Sequence, residues 1–231
     1  MRRAPIVTID GPAGAGKSTV ARLLADALGY VLVDTGAMYR AVAFAAREAG
    51  ADWRDADQMG QVARSLVARG ALSFERAEGS GLRLRIDGED VTGAIRSPEI
   101  ARGASAVSAH ATVRHALLDM QRRAGSEGGV VLEGRDLGTV VFPDAEVKFF
   151  LTARPEVRAR RRFDELVARG TAVSYEETLS DVLLRDEQDT GRAVAPLRQA
   201  PDATVIDDSD MGIEETVARM AARVRTRSVG G

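Results

Sequence analysis

Residues Pro5-Ile-Val-Thr-Ile-Asp10 run directly into Gly11-Pro-Ala-Gly-Ala-Gly16-Lys17-Ser18-Thr19. Gly11, Gly16, Lys17 and Ser18 satisfy the spacing G-x-x-x-x-G-K-[ST], the signature of a phosphate-cradling loop. The spacing has a physical reason. A strand delivers the chain to a turn tight enough for backbone N–H groups to point inward, and glycine makes that turn without steric cost. The helix that follows aims its positive end at the same place. The loop Gly11, Pro12, Ala13, Gly14, Ala15, Gly16, with Lys17, Ser18 and Thr19 behind it, is therefore expected to hold a polyphosphate. Lys17 would reach the β- and γ-phosphates, and Ser18 would offer its hydroxyl to Mg2+.

The flanks agree with this reading. Ile6, Val7 and Ile9 form a β-rich run, and Val20, Leu23, Leu24, Ala27 and Leu28 recur at helical spacing up to Gly29. Composition adds a second argument: the chain has 30 arginines and two lysines, Lys17 and Lys148. A chain that uses Arg almost everywhere has kept Lys in the loop, where a compact point charge fits and a forked guanidinium does not.

The bulk properties set bounds. At 231 residues the chain can bury a full core, as one domain with insertions. A formal charge of −2 gives no global pull toward nucleic acid or an anionic membrane. Cysteine is absent, so there is no disulfide framework. The apolar run after Arg2 and Arg3 is only a strand long, too short for a signal peptide or a membrane span, and the cytoplasm is the expected location.

Short apolar strands alternate with longer helical patterns, which predicts an α/β fold with a parallel sheet flanked by helices. Strands are expected over 5–10, 30–33, 129–133, 146–152 and 203–207. Helices are expected over 17–28, 37–49, 56–69, 97–107, 111–124, 155–169, 175–189 and 212–227. Residues 71–92 break the pattern. Leu72-Ser-Phe-Glu75 and Leu82-Arg-Leu-Arg-Ile-Asp87 alternate with period two, separated by Gly79-Ser-Gly81 and followed by the turn signal Asp87-Gly88. That predicts a small antiparallel insert.

Four stretches are candidates for a second ligand. Val33-Asp34-Thr35-Gly36 ends a strand at a helix start, a ligand edge in open α/β sheets, with Arg40 one turn into the helix. The third strand ends in Glu133-Gly134-Arg135-Asp136. Charges there are costly without partners, so either a ligand or a mutual Arg135–Asp136 network is expected. Arg154 to Arg162 packs five arginines into nine residues, with Arg158, Arg161 and Arg162 at helical spacings of three and four. They form a solvated basic face or a lid that closes over phosphates. A nucleic-acid patch is disfavoured because no interleaved aromatics support it. Arg185, Asp189 and Arg192 recur at four and three, placing two guanidinia around one carboxylate, either as a salt-bridge ladder or as a grip on ribose and phosphate.

Together these stretches resemble the bacterial cytidylate kinase family of P-loop nucleoside monophosphate kinases. The resemblance rests on Ile-Asp-Gly-Pro-Ala-Gly-Ala-Gly-Lys-Ser at 9–18, Asp-Thr-Gly-Ala-Met-Tyr-Arg at 34–40, Gly-Arg-Asp-Leu-Gly-Thr-Val-Val-Phe-Pro at 134–143 and Arg-Ala-Val-Ala-Pro-Leu at 192–197. It implies a P-loop core formed by 1–39, 100–153 and 176–231, a monophosphate-binding insert over 40–99 and a helical lid over 154–175. It implies that Thr35 and Arg40 contact CMP, that Ser105 and Arg114 read the cytosine edge with Asp136 close by, and that Arg135 and Arg192 bind phosphate. Arg185 and Asp189 correspond to positions at sugar and phosphate. Arg158, Arg161 and Arg162 fall in the lid, Arg161 toward ATP and the other two toward the transferring group. Thr35 replaces a serine common in the family and keeps the hydroxyl. Glu133 stands where many members have Asp, at a place near Mg2+ through water.

The implied base reading is chemically coherent. Cytosine offers an N4 amine beside N3 and O2 acceptors, matching an Arg donor and Ser and Asp acceptors. Uracil reverses the pattern, and unpaired buried groups reject an analogue by up to about 10⁴-fold. The implied reaction is transfer of the ATP γ-phosphate to CMP or dCMP with Mg2+, by a monomer. Rival readings are a kinase for UMP, dTMP or shikimate, a GTP switch and a pure ATP sensor. The switch is disfavoured because neither lysine lies in an Asn/Thr-Lys-x-Asp motif.

Overall fold

The structure, a computed structural model, describes residues 4–76 and 82–229. In chain order it contains β1 (Ile6–Asp10), α1 (Lys17–Leu28), β2 (Val31–Asp34), α2 (Thr35–Glu48), α3 (Ala56–Ala68), β3 (Leu72–Arg76), β4 (Leu82–Ile86), β5 (Glu89–Asp90), α4 (Pro98–Ser108), α5 (Ala111–Gly125), β6 (Val130–Gly134), β7 (Val147–Thr152), α6 (Pro155–Ala168), α7 (Tyr175–Gly191), β8 (Thr204–Asp207) and α8 (Ile213–Val229). Short helical turns lie at 94–96 and 137–141.

Five strands form a parallel sheet in the order β2-β6-β1-β7-β8. The central strands are mostly apolar, interrupted by Thr8 in β1 and Lys148 in β7, because helices cover both faces. On one face Val20 and Leu24 of α1 and Met220 and Val224 of α8 pack with Val7, Ile9, Phe149, Leu151 and Ile206. On the other, Met38 and Val42 of α2 join Met59, Leu66, Ile100, Val107 and Leu117, together with Leu132 and Leu137. The register lines up the carboxyl ends: Asp10 lies opposite Gly134, and Asp34 opposite Glu133. β1 therefore ends in a crevice between elements that leave the sheet on its two sides, the general ligand position in open α/β folds.

The expected parallel sheet and the antiparallel insert are both present. β3, β4 and β5 form a separate three-stranded antiparallel sheet. The two-residue β5 was not expected, because Asp87-Gly88 reads only as a turn until its far strand is seen. The Gly79-Ser-Gly81 connection lies outside the described residues. β2 and β6 extend one residue beyond their expected ends, because Asp34 and Gly134 still pair with neighbours. α2 begins at Thr35 rather than 37, because Asp34 caps it: its carboxylate accepts from the Ala37 N–H at 3.0 Å. α7 opens with a capping box of Ser174 and Glu177 and runs on to Gly191, beyond the expected 189.

Candidate active site

The loop between β1 and α1 is formed by close backbone approach. A Cβ on Gly11 would sit 1.9 Å from the Leu151 carbonyl oxygen, at a φ of +153°, so no side chain fits there. Gly14, at φ +75°, lets the loop rest on α6, whose Arg158 Cβ and carbonyl lie 3.1 Å from where its own Cβ would be. Lys17 is buried, and its Nζ donates to the Pro12 carbonyl at 2.7 Å across the loop. Burial, then the Arg135 guanidinium, pulls its pKa well below the usual lysine value. Ser18 Oγ donates to Glu133 Oε2 at 2.8 Å.

Glu133 ends β6 beside Asp34 of β2. Burial, then the Asp34 charge, pushes its carboxyl up to about 7, while Lys17 and the Ser18 bond oppose that rise. Thr35 Oγ1 donates to the Glu133 carbonyl at 2.8 Å and ties α2 to β6. Arg40 pairs with Asp34, and its Nε is buried with no acceptor among the described residues.

The pairing of Arg135 and Asp136 is crosswise. The mutual network allowed by sequence is not what forms. Asp136 pairs with Arg114 of α5, both buried, and Arg114 also donates to the Ser108 carbonyl at 3.1 Å and lies 5.4 Å over the Tyr39 ring. Arg135 Nε donates to Asp189 of α7 at 2.8 Å. Ser105 is one turn before Ser108, whose hydroxyl donates to the Ser105 carbonyl at 2.9 Å. The helix end carrying both serines thus abuts Arg114. Asp10, not singled out from sequence, accepts from the Leu137 and Gly138 N–H groups at 2.8 and 2.7 Å and fixes the turn that follows Asp136. Burial pushes it up to about 6. Its legible signal was an acid ending an otherwise apolar strand.

Around Asp189 the two flanking guanidinia are Arg192 and Arg135, not Arg192 and Arg185 as the helical spacing predicted. The end of β6 delivers Arg135 to that face, and Arg185 turns to α4, where it reaches the Ala101 carbonyl at 3.4 Å. Burial, then Arg135 and Arg162, pulls Arg185 down to about 10, and burial with Arg114 and Arg135 does the same to Arg192. Arg158, Arg161 and Arg162 of α6 are not one solvated face. Arg158 is buried and pairs with Asp186, Arg161 pairs with Asp208 after β8, and Arg162 pairs with Glu165 on its own helix.

A parallel sheet, a glycine loop gripping its own lysine, and arginines crowded at the same strand ends define a P-loop phosphate-handling protein. The family model described as cytidylate kinase matches residues 7–226. Curated relatives named cytidylate kinase include one from Geobacter sulfurreducens, 55% identical over 98% of this chain and 95% of its own. Another, from Pseudomonas syringae pv. tomato, is 48% identical over 99% of both. A third, from Pelotomaculum thermopropionicum, is 52% identical over 97% of both. The chain belongs to the cytidylate kinase family.

Proposed function

We propose that this protein transfers the γ-phosphate of ATP to CMP or dCMP, giving CDP or dCDP and ADP. The observation that carries the reading is the arginine crowd beside the P-loop. Burial, with the Arg135 guanidinium acting on both, pulls Arg185 and Arg192 down to about 10, and Arg40 keeps a buried Nε with no acceptor among the described residues. Such crowding is electrostatically costly, and a phosphate dianion relieves it. Membership of the cytidylate kinase family supplies the donor and acceptor.

In this reading Lys17 and the loop amides of Gly11 to Thr19 hold the ATP phosphates, with Arg161 beside them. Arg40, Arg135 and Arg192 hold the acceptor phosphate, Arg185 and Asp189 the ribose side, and Ser105, Arg114, Asp136 and Thr35 the nucleoside. An oxygen of the acceptor phosphate attacks the γ-phosphorus in line as its bond to ADP breaks. No general base is needed when the acceptor is already a dianion, so the protein contributes alignment and charge stabilisation. Arg158 and Arg162, in the lid over 154–175, close on the transferring group and exclude water. Residues 40–99 form the monophosphate-binding insert and the remainder the core.

Ser18 and Glu133 offer a hydroxyl and a carboxylate 2.8 Å apart next to the loop. This hard-oxygen pair fits Mg2+, which takes its other ligands from phosphates and water rather than from an all-protein cage. When bound, the ion supplies positive charge to the β- and γ-phosphate oxygens. No helix among the described residues is long and apolar enough to cross a membrane. We take the protein to act as a cytoplasmic monomer on these small molecules.

The test is ADP release from ATP and Mg2+ with CMP, dCMP, UMP, AMP and dTMP compared as acceptors. Turnover confined to CMP and dCMP supports the reading. Turnover with another acceptor keeps the chemistry and removes the base-reading roles. ATP binding without acceptor-dependent turnover overturns the kinase.

A further inference from the structure

Arg158 makes contacts that a residue serving only the transferring phosphate would not need. Its Nε donates to the Ala153 carbonyl at 2.8 Å, and its Nη1 donates to the carbonyl of Ala13, inside the P-loop, at 3.0 Å. Its two terminal nitrogens also grip Asp186 as a fork, at 2.9 and 2.6 Å. The guanidinium is buried, so the bidentate pair is held in a fixed geometry rather than sampled at the surface. At the loop end the junction is stiff, because Gly14 brings its backbone against the Arg158 backbone with no side chain between them.

Asp186 stands one helical turn before Asp189 on α7. Asp189 in turn holds Arg135 and Arg192. A path therefore runs from the Ala13 carbonyl through the Arg158–Asp186 ion pair, along one turn of the α7 backbone to Asp189, and on to the two arginines assigned to the acceptor phosphate. Resting on the function proposed above, we infer that Asp186 is a positioning residue that links donor and acceptor binding through Arg158. Donor phosphates entering the loop fix Ala13, Arg158 transmits that placement to α7, and the acceptor then meets Arg135 and Arg192 already aligned. Coupling of this kind is reciprocal in binding free energy.

Asp186 is the informative position to change. A carboxylate does not hold a phosphate dianion, so its replacement releases Arg158 from α7 while keeping Asp189 with Arg135 and Arg192. CMP is titrated calorimetrically into the full-length protein, alone and with a non-hydrolysable ATP analogue plus Mg2+. The wild-type protein is expected to bind CMP at least about 5-fold more tightly when the analogue is present. In Asp186→Ala that ratio should fall to within about 2-fold of unity, with CMP and the analogue each binding alone as in the wild type. Asp186→Asn keeps the shape and one acceptor, protects against a folding defect in the alanine variant, and should retain an intermediate ratio.

Three outcomes overturn the inference. One is a wild-type ratio of unity with normal binding of each ligand alone. Another is a full ratio in both variants. The third is loss of CMP binding alone in the variants with the ratio preserved. No CMP binding by the wild-type protein at all would instead remove the proposed function, and the inference with it.

Discussion

The buried pair of Arg114 and Asp136 makes a quantitative prediction. Their side chains are 8% and 7% exposed, so neither charge reaches bulk water. Breaking such a pair by removing one partner costs about 3–5 kcal/mol, because the other charge stays buried without compensation. Arg114→Met leaves the Asp136 carboxylate without its partner and belongs near the upper end. Asp136→Leu leaves Arg114 with the Ser108 carbonyl at 3.1 Å and the Tyr39 ring at 5.4 Å, which places it near the lower end. In a chain of this length 1 kcal/mol moves the melting temperature by about 2–4 °C, so each single variant should melt about 6–20 °C below the wild type.

Replacing both partners removes both charges, and a double apolar replacement of a buried pair is neutral or stabilising by about 1–4 kcal/mol. Arg114→Met with Asp136→Leu should therefore melt at or above the wild type, although each change alone is severe. The cycle is read by urea and thermal unfolding of the four proteins, together with CMP turnover. Stability should return in the double variant while CMP turnover does not, because the proposed base reader is gone. Single variants within about 1 kcal/mol of wild type, or a double variant as unstable as the sum, would refute the reasoning.

Three further outcomes are expected. Lys17→Ala should lower kcat by about 10²–10³-fold in the coupled assay, as for loss of one preorganised charge stabiliser, and near-normal turnover would remove Lys17 from its role. Asp10 is raised from 3.8 to about 6 by burial, so the folded state holds the extra proton between those values. Its contribution to stability should fall as pH rises from about 4 to 6, by up to about 3 kcal/mol, and then stay flat. Urea titrations should show Asp10→Asn losing that slope, and an opposite slope would mean that the two backbone N–H donors outweigh burial. Gly103→Ala adds a Cβ 2.7 Å from ring carbons of Trp53, whose N–H is tied to the Ala43 carbonyl at 2.9 Å. Overpacking of about 1–3 kcal/mol exceeds the helix-propensity gain of about 1 kcal/mol, so chemical unfolding should show a net loss, and a gain would contradict the packing.

Patterns with short sequence range were the legible ones. The P-loop is a run of nine residues, and period-two alternation is enough to separate the β3–β4 hairpin from the parallel core. Element ends were less legible, since whether Asp34 and Gly134 belong to strands depends on partners about 100 residues away in sequence. Helical spacing showed that Asp189 and Arg192 share a face, but it had no means of seeing Arg135 arrive from β6. Asp186 was invisible as a contributor for the same reason: its partner lies on α6, 28 residues earlier.

Net charge and local charge answer different questions. A net charge of −2 describes a balanced surface, yet the strand ends carry a local crowd of guanidinia. The balance is local: Asp34, Asp136 and Asp189 each sit on an arginine proposed for the acceptor site, while Arg185 makes no ion pair among the described residues. Those carboxylates hold the guanidinia in place before any ligand arrives, which reduces the ordering cost that binding must otherwise meet. They also compete with the ligand. A phosphate that takes Arg135 and Arg192 must share them with Asp189, so affinity for the acceptor is held down while alignment is kept. For a group-transfer site this is the favourable direction, because contacts that strengthen as charge spreads in the transition state contribute to rate, and contacts equally strong in the ground state do not.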